Sequence, residues 1–157
     1  MFRDITTLLK DAQGLKDVID EFAKRYKNEK VDYVAGIESR GFILGGALAH
    51  ALGVGFIPLR KPGKLPGEKE RIEYTTEYST DAIEIHKDAI KAGDNVLLID
   101  DLLATGGTLL AAAQLIEKLG GKIVECALIV DLPELKGKQK LLEKGYKVFN
   151  LVEFEGD

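Results

Sequence analysis

Residues 95–110 read NVLLIDDLLATGGTLL, and this run decides the fold. Val96, Leu97, Leu98 and Ile99 form a short apolar stretch of the kind that makes a buried strand. Two adjacent carboxylates, Asp100 and Asp101, follow it, then Leu102 and Leu103, then the small and hydroxyl residues Ala104, Thr105, Gly106, Gly107 and Thr108. A helical pattern begins behind them, with Leu109, Ala112, Ala113, Ile116 and Leu119 on one face. Strand, acidic pair, Gly/Thr loop and helix in this order can hold a phosphorylated sugar. The N–H groups of the loop and the N-terminal end of the helix attract a phosphate. The carboxylates can accept hydrogen bonds from vicinal sugar hydroxyls. The glycines are not followed by the Lys-Ser/Thr of a Walker loop, and the dinucleotide pattern GxGxxG is absent from the run.

Outward from this run, strand and helix patterns alternate. Leu15, Val18, Ile19, Phe22, Ala23 and Tyr26 predict an amphipathic helix over 12–27. A buried strand is expected at 31–36, a small-residue helix at 41–52 and a second strand at 54–59. Residues 61–80 are polar, carry two of the four prolines and lack a clean period, which predicts a long excursion, partly hairpin, returning as a strand at 83–86. The central strand is expected at 95–99 and the next helix at 105–119, stopped by Gly120 and Gly121. Another strand at 123–130, a polar helix or turn at 133–144 and a last strand at 147–154 complete the pattern. The pattern predicts a single α/β domain over residues 1–157, a mainly parallel twisted sheet flanked by helices. Ligands in such sheets sit outside the carboxyl ends of the strands. Residues 36–40, 59–64 and 100–108 each follow a strand, so they are expected to converge on one edge.

Composition limits the function classes. The chain has 157 residues, is 45% hydrophobic and 31% charged, and carries a formal net charge of −4, which argues against a general nucleic-acid binder. Arg60, Lys61 and Lys64 still make a local basic group. A single cysteine, Cys126, in an apolar strand pattern is expected to be a buried inert thiol, which fits a reducing, cytoplasmic setting. No run is apolar and long enough to predict a membrane span. His50 is expected to be packed and His86 half-exposed on a strand; neither has metal-ligand spacing with a second ligand.

The string DDLLATGGT resembles the signature of the type I phosphoribosyltransferases, Rossmann-like enzymes that use 5-phosphoribosyl-1-pyrophosphate (PRPP). FRDITTL (2–8), ESRGF (38–42), RKPGKLPG (60–67), EY (77–78) and IEIHKD (83–88) resemble segments of the same family in the same order. The resemblance implies transfer of the phosphoribosyl group to N9 of adenine, giving AMP and pyrophosphate. Asp100 and Asp101 would serve the ribose hydroxyls, and residues 104–108 the 5′-phosphate. Glu38, Ser39 and Arg40, in a turn that often holds a cis non-proline peptide, would bind pyrophosphate together with Arg60, Lys61 and Lys64. Glu77, with Tyr78 beside it, would close over the base as part of a flexible lid at about 61–86. Phe2 and Leu102 would pack on the two faces of the base, with main-chain groups of Met1 and Arg3 at its edge. Mg²⁺ would be held mainly by PRPP and water rather than by a protein cage. A homodimer is implied, with the residue matching Arg60 reaching the neighbouring site. Family members carry a helix and a PKPG-like turn before the segment matching FRDI, so a reduced N-terminal hood is expected here. Phe2 and Arg3 would then lie on a fraying terminus, and adenine binding should suffer more than PRPP binding. Two other readings stay open: a transferase for another purine base, and a PRPP-sensing protein with weak or lost turnover.

Overall fold

Val96, Leu97, Leu98 and Ile99 are fully buried and alternate between two hydrophobic cores, one on each face of a sheet. Burial on both faces is why the run reads as continuously apolar. The computed structural model describes residues 5–76 and 78–155. In chain order they form α1 (Thr6–Lys10), α2 (Ala12–Tyr26), β1 (Tyr33–Ile37), α3 (Arg40–Leu52), β2 (Gly55–Leu59), β3 (Lys69–Thr75), β4 (Thr80–His86), β5 (Asn95–Leu103), α4 (Gly107–Lys118), β6 (Lys122–Asp131), a 3-10 turn at Pro133–Leu135, α5 (Gly137–Glu143) and β7 (Val148–Glu153). Among these residues the main sheet has the order β2-β1-β5-β6-β7, and every pairing in it is parallel.

α2 and α3 cover one face, where Phe22, Leu44 and Leu48 meet Val34, Leu97 and Ile99. α4 and the β3–β4 hairpin cover the other, where Leu115, Ile116, Ile83 and Ile85 meet Ala35, Leu98 and Leu128. Asp11 caps α2 by accepting the Gly14 N–H at 2.9 Å. The small residues of α3 let it lie close on the sheet. A Cβ on Gly36 would sit 2.5 Å from the Gly41 carbonyl oxygen, and one on Gly45 would collide with the Phe56 ring. The hairpin is a separate antiparallel sheet, tied to the end of β2 by reciprocal backbone bonds between Arg60 and Glu84 at 2.9 and 2.8 Å.

The expected alternation is present, with four differences. β5 runs to Leu103 rather than Ile99, because β6 continues the ladder through Leu128, Val130 and Asp131. The acidic pair therefore lies inside a strand. The excursion is a fuller hairpin, with seven-residue arms, because Ile72 and Tyr74 alternate inward along β3 and Ala82, Ile83 and Ile85 are buried along β4. The short helix α1, whose side chains stay largely exposed, has no strong apolar period to announce it. His50 is exposed rather than packed, since it sits in the last turn of α3 on the solvent side. His86 is half-exposed at the end of β4, and Cys126 is buried with its thiol pushed up to about 12, first by burial. Among the described residues, no helix is long and apolar enough to cross a membrane.

Candidate active site

The strand order places β1 and β2 on one side of β5, and β6 and β7 on the other. The chain direction across the sheet thus reverses between β1 and β5, the kind of crevice where open α/β sheets bind ligands. β1 pairs with β5 only as far as Gly36 and Ile99 and then turns away, whereas β6 follows β5 to Leu103. One edge of residues 100–103 is left open. A cleft of about 280 Å³ forms there, lined by the turn at 38–40, by Lys61 and by residues 100–108.

Charges in the cleft are arranged asymmetrically. Asp101 is buried and paired with the Arg40 guanidinium. Asp100 is half-buried, and its Oδ1 accepts the Asp101 N–H at 2.9 Å. Burial, then the Asp101 charge, push the Asp100 carboxyl well above its ordinary value; the Asp101 N–H and Arg40 pull the other way. The Glu38–Ser39 peptide is cis, the feature implied by the resemblance. Glu38 Oε1 accepts the Lys61 N–H at 2.6 Å, so this carboxylate also fixes the turn leaving β2. Lys61 Nζ donates to Asp81 Oδ2 at 2.9 Å, a bond that raises the Lys61 pKa and lowers that of Asp81.

The loop at 104–108 leads into α4 through Gly106, whose φ of 86° suits glycine and leaves the helix N-terminus facing the cleft. Behind the loop, Gly137 is packed so tightly that an added Cβ would collide with the Ala104 carbonyl oxygen and lie 2.9 Å from the Gly106 nitrogen. On its outer side, Thr108 Oγ1 donates to the Tyr74 hydroxyl at 3.2 Å.

Of the residues predicted from sequence, Glu38, Ser39, Arg40, Lys61, Asp100, Asp101, Leu102, Ala104, Thr105, Gly106, Gly107 and Thr108 come together around this cleft. Arg60 does not line it: its Nε lies 3.3 Å from Glu38 Oε1 and its guanidinium 5.6 Å from the centre of the Phe42 ring. Lys64 follows the Gly63 turn into solvent, and Tyr78 is 90% exposed. The basic group expected from four residues is therefore reduced, inside the cleft, to Arg40 and Lys61. Phe2, Arg3 and Glu77 lie outside the described residues. Leu102 also borders an apolar groove of about 530 Å³ shared with Ile5, Leu8, Ile129 and Phe154. Tyr74, Asp81 and Gly137 were not anticipated. Ile72 and Tyr74 alternating in 69–75 are a strand signal that could have pointed to the first, whereas the other two depend on distant packing.

Residues 5–155 match the family model of the phosphoribosyl transferase domain, and the chain belongs to that family. Its relatives carry a narrower name. It is 60% identical over 157 residues to the adenine phosphoribosyltransferase of Nitrosospira multiformis, covering 100% of this chain and 90% of that protein. The solved adenine phosphoribosyltransferase of Thermoanaerobacter pseudethanolicus superposes with a TM-score of 0.93 at 48% identity, over 98% of this chain and 88% of that one. The APRTase of Giardia lamblia, solved with 9-deazaadenine, gives a TM-score of 0.93 at 42% identity, over 99% and 87%.

Proposed function

We propose that the protein transfers the 5-phosphoribosyl group of PRPP to N9 of adenine, giving AMP and pyrophosphate in purine salvage. The observation that carries this reading is a single cleft, at the reversal point of a parallel sheet, lined by the Arg40 turn, Lys61, the acidic pair and the Gly/Thr loop. The names of the relatives support adenine as the base. The two cores lie on the faces of one sheet, which supports reading the chain as one domain.

In this reading the N–H groups of residues 104–108, the Thr105 and Thr108 hydroxyls and the α4 N-terminus hold the 5′-phosphate. Asp100 and Asp101 hold the ribose hydroxyls, and their negative field favours the positive charge that develops on the ring. Arg40 and Lys61 receive the pyrophosphate as its charge grows. The bond from C1′ to the pyrophosphate oxygen breaks as the bond from C1′ to N9 forms, and the ring N–H proton of adenine leaves to the departing pyrophosphate or to water. Orientation and fixed charges supply most of the acceleration. Leu102, at the border of cleft and groove, gives the purine an apolar surface. Phe2 and Arg3 are its expected partners, and Glu77, with Tyr78 beside it, is the expected contact of N7.

Mg²⁺ enters as a companion of PRPP. Among the described residues no group of three or more His, Cys, Asp or Glu could cage an ion. Mg²⁺ would be held by PRPP oxygens and water, with Asp100 or Asp101 able to assist, and would neutralise charge on the pyrophosphate. Arg60 and Lys64, which do not line the cleft of their own subunit, suit a homodimer in which Arg60 serves the neighbouring site. The single buried thiol supports a cytoplasmic setting.

Incubation with PRPP, Mg²⁺ and each purine base tests the proposal. AMP formed with adenine, and no nucleotide with hypoxanthine or guanine, is the expected result. IMP or GMP as the main product would overturn the choice of base. Tight PRPP binding without any product would overturn the transferase reading in favour of a sensor.

A further inference from the structure

The hairpin reaches the cleft at one rung. Tyr74 on β3 and Asp81 on β4 are directly opposite each other, so their side chains share a face of the hairpin. Each engages a residue that lines the cleft. The Tyr74 hydroxyl accepts from Thr108 Oγ1 at 3.2 Å, at the first turn of α4. Asp81 Oδ2 accepts from Lys61 Nζ at 2.9 Å, on the turn leaving β2. The Tyr74 ring lies over the same helix start, where its Cδ2 would be 3.9 Å from a Cβ on Gly107. A single rung therefore joins the two elements assigned to the two phosphate ends of the substrate, and nothing in the proposed mechanism yet uses it.

We infer that Tyr74 is a positioning residue for the 5′-phosphate, acting through the Thr108 hydroxyl, with the Asp81–Lys61 pair anchoring the rung that carries it. The inference rests on the phosphate role proposed for residues 104–108. Its chemistry follows from donor counting. A phosphate oxygen only accepts, so Thr108 must turn its one proton toward the ligand. The Thr108 oxygen then retains lone pairs for the Tyr74 O–H. The contact reverses direction instead of breaking, and the chain from Tyr74 through Thr108 to phosphate has every member satisfied and mutually polarised. Without the phenol, the Thr108 hydroxyl is free to rotate and the ordering must come from the ligand.

Ribose 5-phosphate and inorganic pyrophosphate separate the two ends of the site, and binding of each is measured by calorimetry on the full chain. Tyr74→Phe keeps the ring and removes only the hydroxyl. It should weaken ribose 5-phosphate and raise the KM for PRPP by roughly three- to tenfold, the range of one net hydrogen bond. The KM for adenine at saturating PRPP and the thermal midpoint of the protein alone should stay unchanged. Pyrophosphate affinity should fall by clearly less than ribose 5-phosphate affinity, since the Tyr74 hydroxyl also interacts with Lys61 and Asp81. Thr108→Val should weaken ribose 5-phosphate by itself, and Tyr74→Phe added to it should cost nothing more. Thr108→Ser should restore the dependence on Tyr74. Equal ribose 5-phosphate affinity in Tyr74→Phe and the unaltered protein would overturn the inference. So would equal weakening of pyrophosphate, or a fall in thermal midpoint large enough to account for the loss. Failure of the unaltered protein to bind either PRPP or ribose 5-phosphate would instead sink the phosphoribosyl reading itself.

Discussion

Asp100 and Asp101 are neighbours in sequence with different surroundings. Asp101 is buried against Arg40, whereas Asp100 is held at a raised pKa by burial and by the Asp101 charge. Because its folded-state value lies above the unfolded one, the folded protein binds more protons in the interval between them and loses stability as pH rises through it. The penalty sets in above the unfolded value and grows as pH rises toward the folded one. Asp100→Asn keeps an acceptor for the Asp101 N–H and removes the charge. It should raise the melting temperature at pH 7 by roughly 2–4 °C, equivalent to about 1 kcal/mol in a domain of this size. The gain should vanish below about pH 3.9, the ordinary aspartate value. In the proposed mechanism the same change should lower kcat about 100-fold or more, since it removes a fixed charge that would face the developing cation. Calorimetry across pH, set beside steady-state rates, checks both halves. A variant that melts higher and turns over normally would take the ribose role away from Asp100. The acidic pair was legible in the sequence. Its asymmetry was not, because Arg40 comes from a helix start 61 positions away and meets Asp101 only across the sheet.

At the scale of elements, the loop at 104–108 is held from both sides. The helix it opens was readable from the apolar spacing after Thr108, and the carboxyl-edge placement followed from strand alternation alone. The support behind the loop was not readable, because it is the backbone of Gly137, which follows Lys136 at φ 59° in the connection to β7. The extent of β5 was hidden for a related reason: carboxylates are poor strand formers, and only pairing with β6 carries the ladder past them. Hydrophobic period reports burial, so it fades wherever backbone pairing or close approach sets the structure. Gly137→Ala tests the support. The new methyl must displace Ala104 or Gly106, so the KM for PRPP should rise about tenfold or more, with a smaller effect on the KM for adenine. Gly46→Ala is the matched control on α3, where an added Cβ meets nothing within 4 Å. It should leave both KM values alone and stabilise the protein by roughly 0.5–1 kcal/mol. If the two variants behave alike in PRPP kinetics, the turn at Gly137 does not hold the loop.

Across the whole molecule, the carboxyl ends of the strands carry the cleft, and the opposite half of the sheet carries a separate polar tie. Glu125, in the first half of β6, accepts Arg25 Nε at 2.8 Å, Arg25 Nη2 at 3.2 Å and the Tyr26 hydroxyl at 2.6 Å. The Arg25 guanidinium lies 3.8 Å from the centre of the Phe149 ring on β7. Glu125 thus ties α2 to β6, and the Arg25 guanidinium it holds ties α2 to β7. Burial works against its charge, but Arg25 and Tyr26 more than offset it and hold the carboxyl below the ordinary glutamate range. A depressed folded-state value means stabilisation that is present above the unfolded value and lost as pH falls through the folded one. Glu125→Gln should therefore destabilise the protein by about 1–2 kcal/mol at pH 7, less than a fully buried pair would, because Arg25 is 41% exposed. The deficit should shrink below about pH 4.3 and be absent once the unaltered protein is itself protonated there. Turnover at 25 °C and pH 7 should not change, since the substitution touches nothing in the cleft. Urea titrations at several pH values and a rate assay decide it. A constant deficit down to pH 3 would show that the packing of Glu125, rather than its charge, ties α2 to the sheet. A loss of turnover without unfolding would show that the two ends of the sheet are mechanically coupled.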